Sequence, residues 1–426
     1  MKRRLLLQTA AAAALPLPAL AQSKPEKLVY VGDNGPWHYA MVEEVAPAFE
    51  QATGIKIDFT LLPVDPWRAR LRAELGAGSA GIDIVQLSPG MAGWLAPHME
   101  DHTPLLPQFA AADPDFDWDD FLTGSKKAAT YDGKLVGIPY RITTGIMHYQ
   151  KALFAAAGFG GMPDTWDGFL KAAIALNHPP ERYGFGMTAR QGAALYSAFS
   201  PWLFSNGGRF VDFQTGEIFV NDTKGIEALT FWSELVTKYQ VVPPDSMTWE
   251  FDEIVANGQK DRYAMTETFA PYGTLINDPK VSTTGGRWAW ATVPGPQSKD
   301  QSRTWIDGHF LGVPKYTPNK PWAVAFIALA CSKKWQKRAM VRGNAPPRRS
   351  VLEDPEMVAK IGWTPVAAAA IETGVPTPAN PVWDTLELQL RSGLSQALLG
   401  QKTAKAALDG VVADWQRSLR RAGVGR

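Results

Sequence analysis

"YDGKLVGIPYRITTGIMHYQKALF", Tyr131 to Phe154, begins as a buried strand and ends as the start of a helix. Leu135, Val136 and Ile138 form a short apolar run of the kind a core strand needs. Tyr149 to Phe154 closes with an aromatic, a lysine and Ala-Leu-Phe, which suits a helix entry. Between them, Arg141-Ile-Thr-Thr-Gly145 sets a cation and two hydroxyls where a parallel core strand stays apolar. A core element that turns polar at its centre has to be explained by what it faces there.

Upstream, the pattern is regular. Leu28 to Val31 reads as a buried strand. Tyr39 to Ala52 reads as a helix, with Val42, Val45 and Phe49 at helical spacing and Gly54 as its stop. Ile55, Ile57 and Phe59 alternate with polar residues as a second strand. Trp67 to Leu75 is a second helix and Ile82 to Leu87 a third strand. A β-α-β-α-β series builds a parallel sheet covered by helices. Ligands of such sheets bind beyond the carboxyl ends of the strands. The loops "GDNGPWH" (Gly32–His38) and "SPG" (Ser88–Gly90) therefore share an edge, and Trp37 and Ser88 with them.

Downstream, Thr165 is placed to cap a helix bearing Phe169, Leu170 and Ala173, with Asp167 in its first turn. Ser205 to Val220 reads as a β-hairpin, and Asp222 or Thr223 caps the helix that follows. Arg287 to Pro296 alternates as a strand, "HFLGVP" is another, and Trp322 to Trp335 is an apolar helix. Thr403 to Ala422 is a terminal amphipathic helix stopped by Gly423.

The chain has 426 residues, 45% hydrophobic and 20% charged, enough for a sizeable core and for about two domains. The formal net charge of +1 leaves no electrostatic footprint for nucleic acid or anionic membrane. Lys2-Arg3-Arg4, the apolar Leu5–Leu15 and Ala19-Leu20-Ala21 form an export signal with cleavage near Gln22. "RRLLL" also resembles a twin-arginine signal, and Sec export fits equally. The single cysteine, Cys331, lies in an apolar helical context and reads as a buried thiol.

Catalytic patterns are near misses. "GAGSAG" (Gly76–Gly81) lacks the first glycine of a nucleophile elbow. "HMEDH" (His98–His102) has Met99 where a zinc-protease helix needs glutamate. No phosphate-binding glycine loop occurs. The polar and aromatic residues left at strand ends and in loops are Trp37, Ser88, Arg141, Thr143, Arg190, Trp202, Asn206, Glu267, Tyr272, Asp307, His309 and Arg348. Aromatic faces that cover C–H surfaces, with Arg, Asp and Glu exchanging hydrogen bonds with hydroxyls, suit a polyhydroxylated ligand.

The segments "FEQATGIKIDF", "IDIVQLSPGMAGWLA", "MPDTWDGFLKAA", "SNGGRF", "YAMTETFAPYGTLINDP", "GHFLGVPKYTPNKPWAVAFIALA" and "GNAPPRRSVLEDPEM", in order around the opening stretch, resemble the extracellular solute-binding proteins of ABC importers. The likeness is to the carbohydrate-binding, maltose-type group and its polyol- and monosaccharide-binding branch. It spans nearly the whole exported chain. Two departures stand out: Gln150 replaces an asparagine, and His309 replaces an aromatic residue.

The resemblance implies an α/β fold of two lobes (type II periplasmic-binding-protein fold), with mostly parallel central sheets and segments crossing between them. It implies a signal peptide over residues 1–21, one lobe from 22–140 and 294–336, and the other from 141–293 and 337–426. Tyr140 to Gly145 becomes the first crossing, and Asp307 to Phe310 a returning one, so both face the cleft. The implied protein is a periplasmic, monomeric receptor, not an enzyme, with no cofactor and no metal. It takes a carbohydrate or polyol and delivers it to a membrane permease. Arg141, Arg190, Glu267, Asp307 and Arg348 are expected to contact hydroxyls or anions, and Trp37, Trp202 and Tyr272 to stack. An anionic sugar or glycerophosphate ligand, and an exported glycoside-active enzyme, are the alternatives.

Overall fold

The computed structural model describes residues 24–342 and 344–425. The export signal expected at the N-terminus lies outside the described residues.

Nine strands form one sheet among the described residues: β1 (Lys27–Asp33), β2 (Lys56–Leu62), β3 (Ile84–Leu87), β4 (Ile138–Gln150), β5 (Tyr183–Gly186), β6 (Tyr263–Phe269), β7 (Trp288–Ala291), β8 (Trp305–Gly312) and β9 (Val375–Pro376). Their spatial order is β2-β1-β3-β8-β4-β6-β5, with β9 beside β8 and β7 beside β4. β1 runs parallel to β2 and β3, and β5 parallel to β6, as a βαβ series requires. β8 and β4 run antiparallel to each other and to the neighbours that link them to either side.

Two main apolar cores flank this seam. The first gathers Leu28, Tyr30, Phe49, Trp67, Ile84 and Phe326, the second Phe169, Phe185, Trp202, Trp232, Leu390 and Trp415. β4 belongs to both: Ile138, Ile142 and Ile146 lie in the first core and Met147 in the second. β8 does the same, with Trp305 in the second core and Ile306, Phe310 and Leu311 in the first. These two strands cross between the lobes. The polar interruption at Arg141 to Thr144 falls where β4 pairs with Ile306 to His309 of β8, just before β4 leaves the first core at Ile146 and enters the second at Met147.

The chain's return differs from the expected lobe boundary. Met340, Val351, Met357, Trp363 and Ile371, all within 337–426, pack in the first core, and the chain then rejoins the second through Val375, Val382 and Trp383. The Trp322–Trp335 helix is two helices, Lys320–Ala330 and Lys333–Val341, separated at Cys331 and Ser332. The Ser205–Val220 hairpin reduces to one bridge, Val211 with Ile218, around a turn in which the Asp212 carboxylate accepts from the Gln214 and Thr215 amides. The first helix opens as a π-turn at Met41–Val45 before Ala46–Thr53, and Gly54 ends it in the left-handed region at φ 72°. Thr165, Asp222 and Thr403 cap their helices through side-chain oxygens.

Candidate ligand cleft

The carboxyl ends of β1 and β3 and the crossing strand β8 border a cavity of about 350 Å³ between the two cores. The first lobe contributes Trp37 from the turn after β1, Ser88 and Gly90 from the start of the Pro89–Leu95 helix, and Arg68 from the Val64–Gly76 helix. β8 contributes Trp305 and Asp307. The second lobe supplies Tyr196 and Ser197, then Phe251 and Phe269. Trp383, Asp384, Glu387 and Arg391 come from one face of the Trp383–Leu398 helix.

The first-lobe wall carries a dense polar cluster. Trp37 Nε1 donates to Asp33 Oδ1 at 2.9 Å. The Arg141 guanidinium lies 4.3 Å from the centre of the Trp37 ring, a cation–π contact. His309 stands opposite Arg141 across the β4–β8 ladder, with its Nε2 3.6 Å from Asp33 Oδ2. Burial, and then the charge of Arg141, hold the His309 imidazole well below its usual pKa, so it is neutral. Asp307, opposite Thr143, accepts from the Gly308 amide at 2.7 Å. Burial raises the carboxyl pKa of both Asp33 and Asp307, while the Arg141 charge opposes the rise. Arg141 Nε, Thr143 Oγ1 and His309 Nδ1 are buried atoms without a hydrogen-bond partner among the described residues.

Charges on the far wall are paired. Arg391 Nε donates to Glu387 Oε1 at 3.1 Å on the same helix. Arg68 Nη1 reaches Asp384 Oδ2 at 3.6 Å from the opposite lobe. Tyr196 Oη, Trp305 Nε1 and Trp383 Nε1, all on residues that line the cavity, are buried without a partner among the described residues. Beyond Phe269 and Trp305, a smaller recess continues to Glu267, Thr188 and Thr268.

Of the residues expected from sequence, Trp37, Ser88 and Asp307 line the cavity, and Glu267 lines the adjoining recess. Arg141, Thr143 and His309 stand in the strands behind it. Tyr272 packs on Phe269 with ring centres 5.2 Å apart, and its phenol is pushed up to about 12 by burial. Arg190 is exposed and pairs with Glu250 at 3.1 Å, next to the cavity residue Phe251.

Three expectations are corrected. Trp202 is fully buried in the second core among Phe169, Phe185 and Phe231, so it packs and does not stack on a ligand. Asn206 ties the end of its helix to the Lys224 carbonyl and to Glu227, both at 2.9 Å. Arg348 is buried away from the cleft, donating to Asp120 Oδ2 at 2.9 Å and to the Cys331 carbonyl at 2.8 Å, over the Phe121 ring. The sequence reading missed Arg68, Trp305 and the Trp383–Arg391 face. The spacing of Trp383, Glu387 and Arg391 in "WDTLELQLR" was the available sign: four residues apart, they share one helix face.

A family model described as bacterial extracellular solute-binding protein matches residues 44–365. The chain is 24% identical over 387 residues to a probable amino-acid ABC transporter periplasmic-binding protein of Sinorhizobium fredii, covering 89% of this chain and 86% of the relative. It is 25% identical over 328 residues to an erythritol/L-threitol-binding protein of Mycolicibacterium smegmatis, covering 72% and 67%. A solved ABC transporter solute-binding protein from Agrobacterium radiobacter K84, in complex with ribitol, superposes with a TM-score of 0.76 at 24% identity, over 92% of this chain and all of that one.

Proposed function

The chain belongs to the bacterial extracellular solute-binding proteins of ABC importers, and on that premise we propose that it captures a neutral polyol or small sugar between its lobes. The bound ligand is then presented, chemically unaltered, to a membrane permease from the periplasmic side.

The observation that carries this reading is the make-up of the cavity wall. Indole and phenyl faces from both lobes alternate with carboxylates and arginines. Rings cover the C–H faces of a polyol, and the charged groups exchange hydrogen bonds with its hydroxyls, each worth about 1.5–3 kcal/mol. The volume of about 350 Å³ is at the small end of ligand cavities, which run from roughly 300 to 1,000 Å³, and favours a single ring or a short chain. An anionic sugar or glycerophosphate is less well supported. Arg68 and Arg391 already face Asp384 and Glu387, and Arg141 sits within the field of Asp307 and Asp33.

Because both lobes line the cavity, a ligand gains its full contact set only when they are closed, and it shifts the population toward that state. Thermal-shift screening against polyols, sugars, uronates, sugar phosphates and amino acids tests the reading. Tight binding to the folded chain raises its melting temperature by mass action. Neutral polyols or small sugars are expected to give the largest shifts, and a response confined to anions or amino acids contradicts the proposal.

A further inference from the structure

We propose that Asp33, Arg141 and His309 are positioning residues: they lock the Trp37 indole into the cavity wall as a platform for a C–H face of the ligand, and do not touch the ligand themselves. This deepens the polyol reading and rests on it.

Trp37 sits in the short turn Pro36–His38 after β1, where a side chain is ordinarily free to swing. The backbone around it is tied at three points. The Asn34 amide donates to the Leu62 carbonyl at 2.9 Å, the His38 amide to the Gly35 carbonyl at 3.1 Å, and the Tyr140 hydroxyl to the Trp37 carbonyl at 3.0 Å. Gly35 makes room for the ring, because a Cβ there would collide with Cε2, Cζ2 and Cη2 of the indole.

The ring itself is held at its edge and over one face. Its Nε1 donates to Asp33 Oδ1 at 2.9 Å. Asp33 is anchored in turn through its amide, which donates to Gln86 Oε1 at 2.9 Å. Arg141 and His309 are direct cross-strand partners on β4 and β8, so their side chains share one face of the ladder. Both meet the indole, the Arg141 guanidinium 4.3 Å and the His309 ring 5.3 Å from its centre. Trp37 lines the cavity, whereas Asp33, Arg141 and His309 do not. They grip the indole from behind and leave its other face to the cavity.

Arg141 serves the ring more than the charges around it. It lies in the field of Asp307 and Asp33. Yet it forms no ion pair among the described residues, and its Nε has no hydrogen-bond partner among them. A guanidinium that approaches an indole and leaves two nearby carboxylates unpaired is placed by the indole. An indole fixed before the ligand arrives spares the ordering that a mobile one requires on binding. Such a platform reads C–H surface, leaving the hydroxyls to other groups of the wall.

Calorimetry and fluorine NMR on the protein test this. The titrant is whichever neutral polyol or small sugar gives the largest thermal shift. Trp37→Ala should lose tenfold or more in affinity, and Asp33→Ala, Arg141→Met and His309→Ala should each lose fivefold or more. In the Trp37→Ala background none of the three should lose anything further. Asp33→Asn, which keeps the acceptor, should retain most of the affinity. Arg141→Met keeps the aliphatic stem over the ring, and the test stands on it if another variant fails to fold. Losses that persist once the indole is gone mean that these residues contact the ligand, and they overturn the proposal. The ring is followed without ligand by 5-fluorotryptophan labelling, its line assigned by its absence in Trp37→Phe. The wild type should show one line that barely moves on binding, and Arg141→Met a shifted or broadened one; identical spectra overturn the proposal. If the wild type binds no neutral polyol or sugar, the polyol reading falls, and the fluorine spectra alone decide whether the indole is locked.

Discussion

Arg68 and Asp384 form an ion pair at 3.6 Å across the cleft, each from a helix seated in a different core. Arg68 follows Trp67, which is buried in the first core, and Asp384 follows Trp383, buried in the second. The pair exists only while the lobes are together, so it favours closure. Its side chains are 33% and 50% exposed, and solvent-screened pairs contribute only about 0.2–1 kcal/mol.

The latch predicts a small effect that salt removes. Asp384→Asn should weaken ligand binding up to about fivefold at low ionic strength. The difference from wild type should shrink in high salt. The charge-swapped pair Arg68→Asp with Asp384→Arg should recover part of the loss. Equal affinities of wild type and Asp384→Asn at low salt would remove the latch.

Asp307 is buried at the cavity wall at a cost to the folded protein. Burial raises its folded pKa above the unfolded value, which disfavours folding once the carboxyl ionises and is relieved as pH falls through the folded pKa. Asp307→Asn should therefore melt no lower than wild type at neutral pH without ligand. A clear fall in melting temperature would mean the carboxylate is structural.

The reverse holds for two residues that resembled site residues in sequence. Trp202→Ala should cost about 3–5 kcal/mol by opening a cavity among packed rings. Arg348→Ala should cost about 3–5 kcal/mol by leaving Asp120 without its cation. Denaturant titration measures the loss. Where either variant stays folded, its ligand affinity should match wild type, and a selective affinity loss would return that residue to the site.

His102 makes stability depend on pH. Its Nδ1–H donates to the Leu135 carbonyl and its Nε2 accepts from the Val313 amide, both at 3.0 Å, an arrangement only the neutral ring can satisfy. Burial lowers its pKa to about 4. The unfolded chain binds this proton first, so the contribution is complete above the unfolded value of about 6.5 and is lost as pH falls through 4. At 1.36 kcal/mol per pKa unit, it amounts to about 3 kcal/mol. His102→Gln should flatten the stability profile between pH 7 and pH 4 relative to wild type, and parallel profiles would contradict the assignment.

Much of this architecture could be read from local pattern. The βαβ series, the cap at Thr165, and the shared edge of Trp37 and Ser88 follow from periodicity and strand polarity. The crossing at Tyr140–Gly145 follows from the resemblance to solute-binding proteins, the local pattern showing only that polar residues interrupt an apolar strand. What failed depends on long-range packing. An arginine among carboxylates looks the same in sequence whether it meets a ligand or, like Arg348, clamps a loop 228 residues away. Trp202 carries the same side chain as Trp37, and only the rings around it make it core. Trp383, Glu387 and Arg391 join the cleft because the chain returns through the first core before Trp383, a path that no local pattern encodes.

Calorimetric titration of the protein with neutral polyols and small sugars, beside its Asp307→Ala variant, tests the central claim most directly. The account predicts saturable one-to-one binding of at least one such ligand by the wild type, and a loss of tenfold or more in the variant. Binding confined to anions or amino acids, or a polyol affinity indifferent to Asp307, would contradict it.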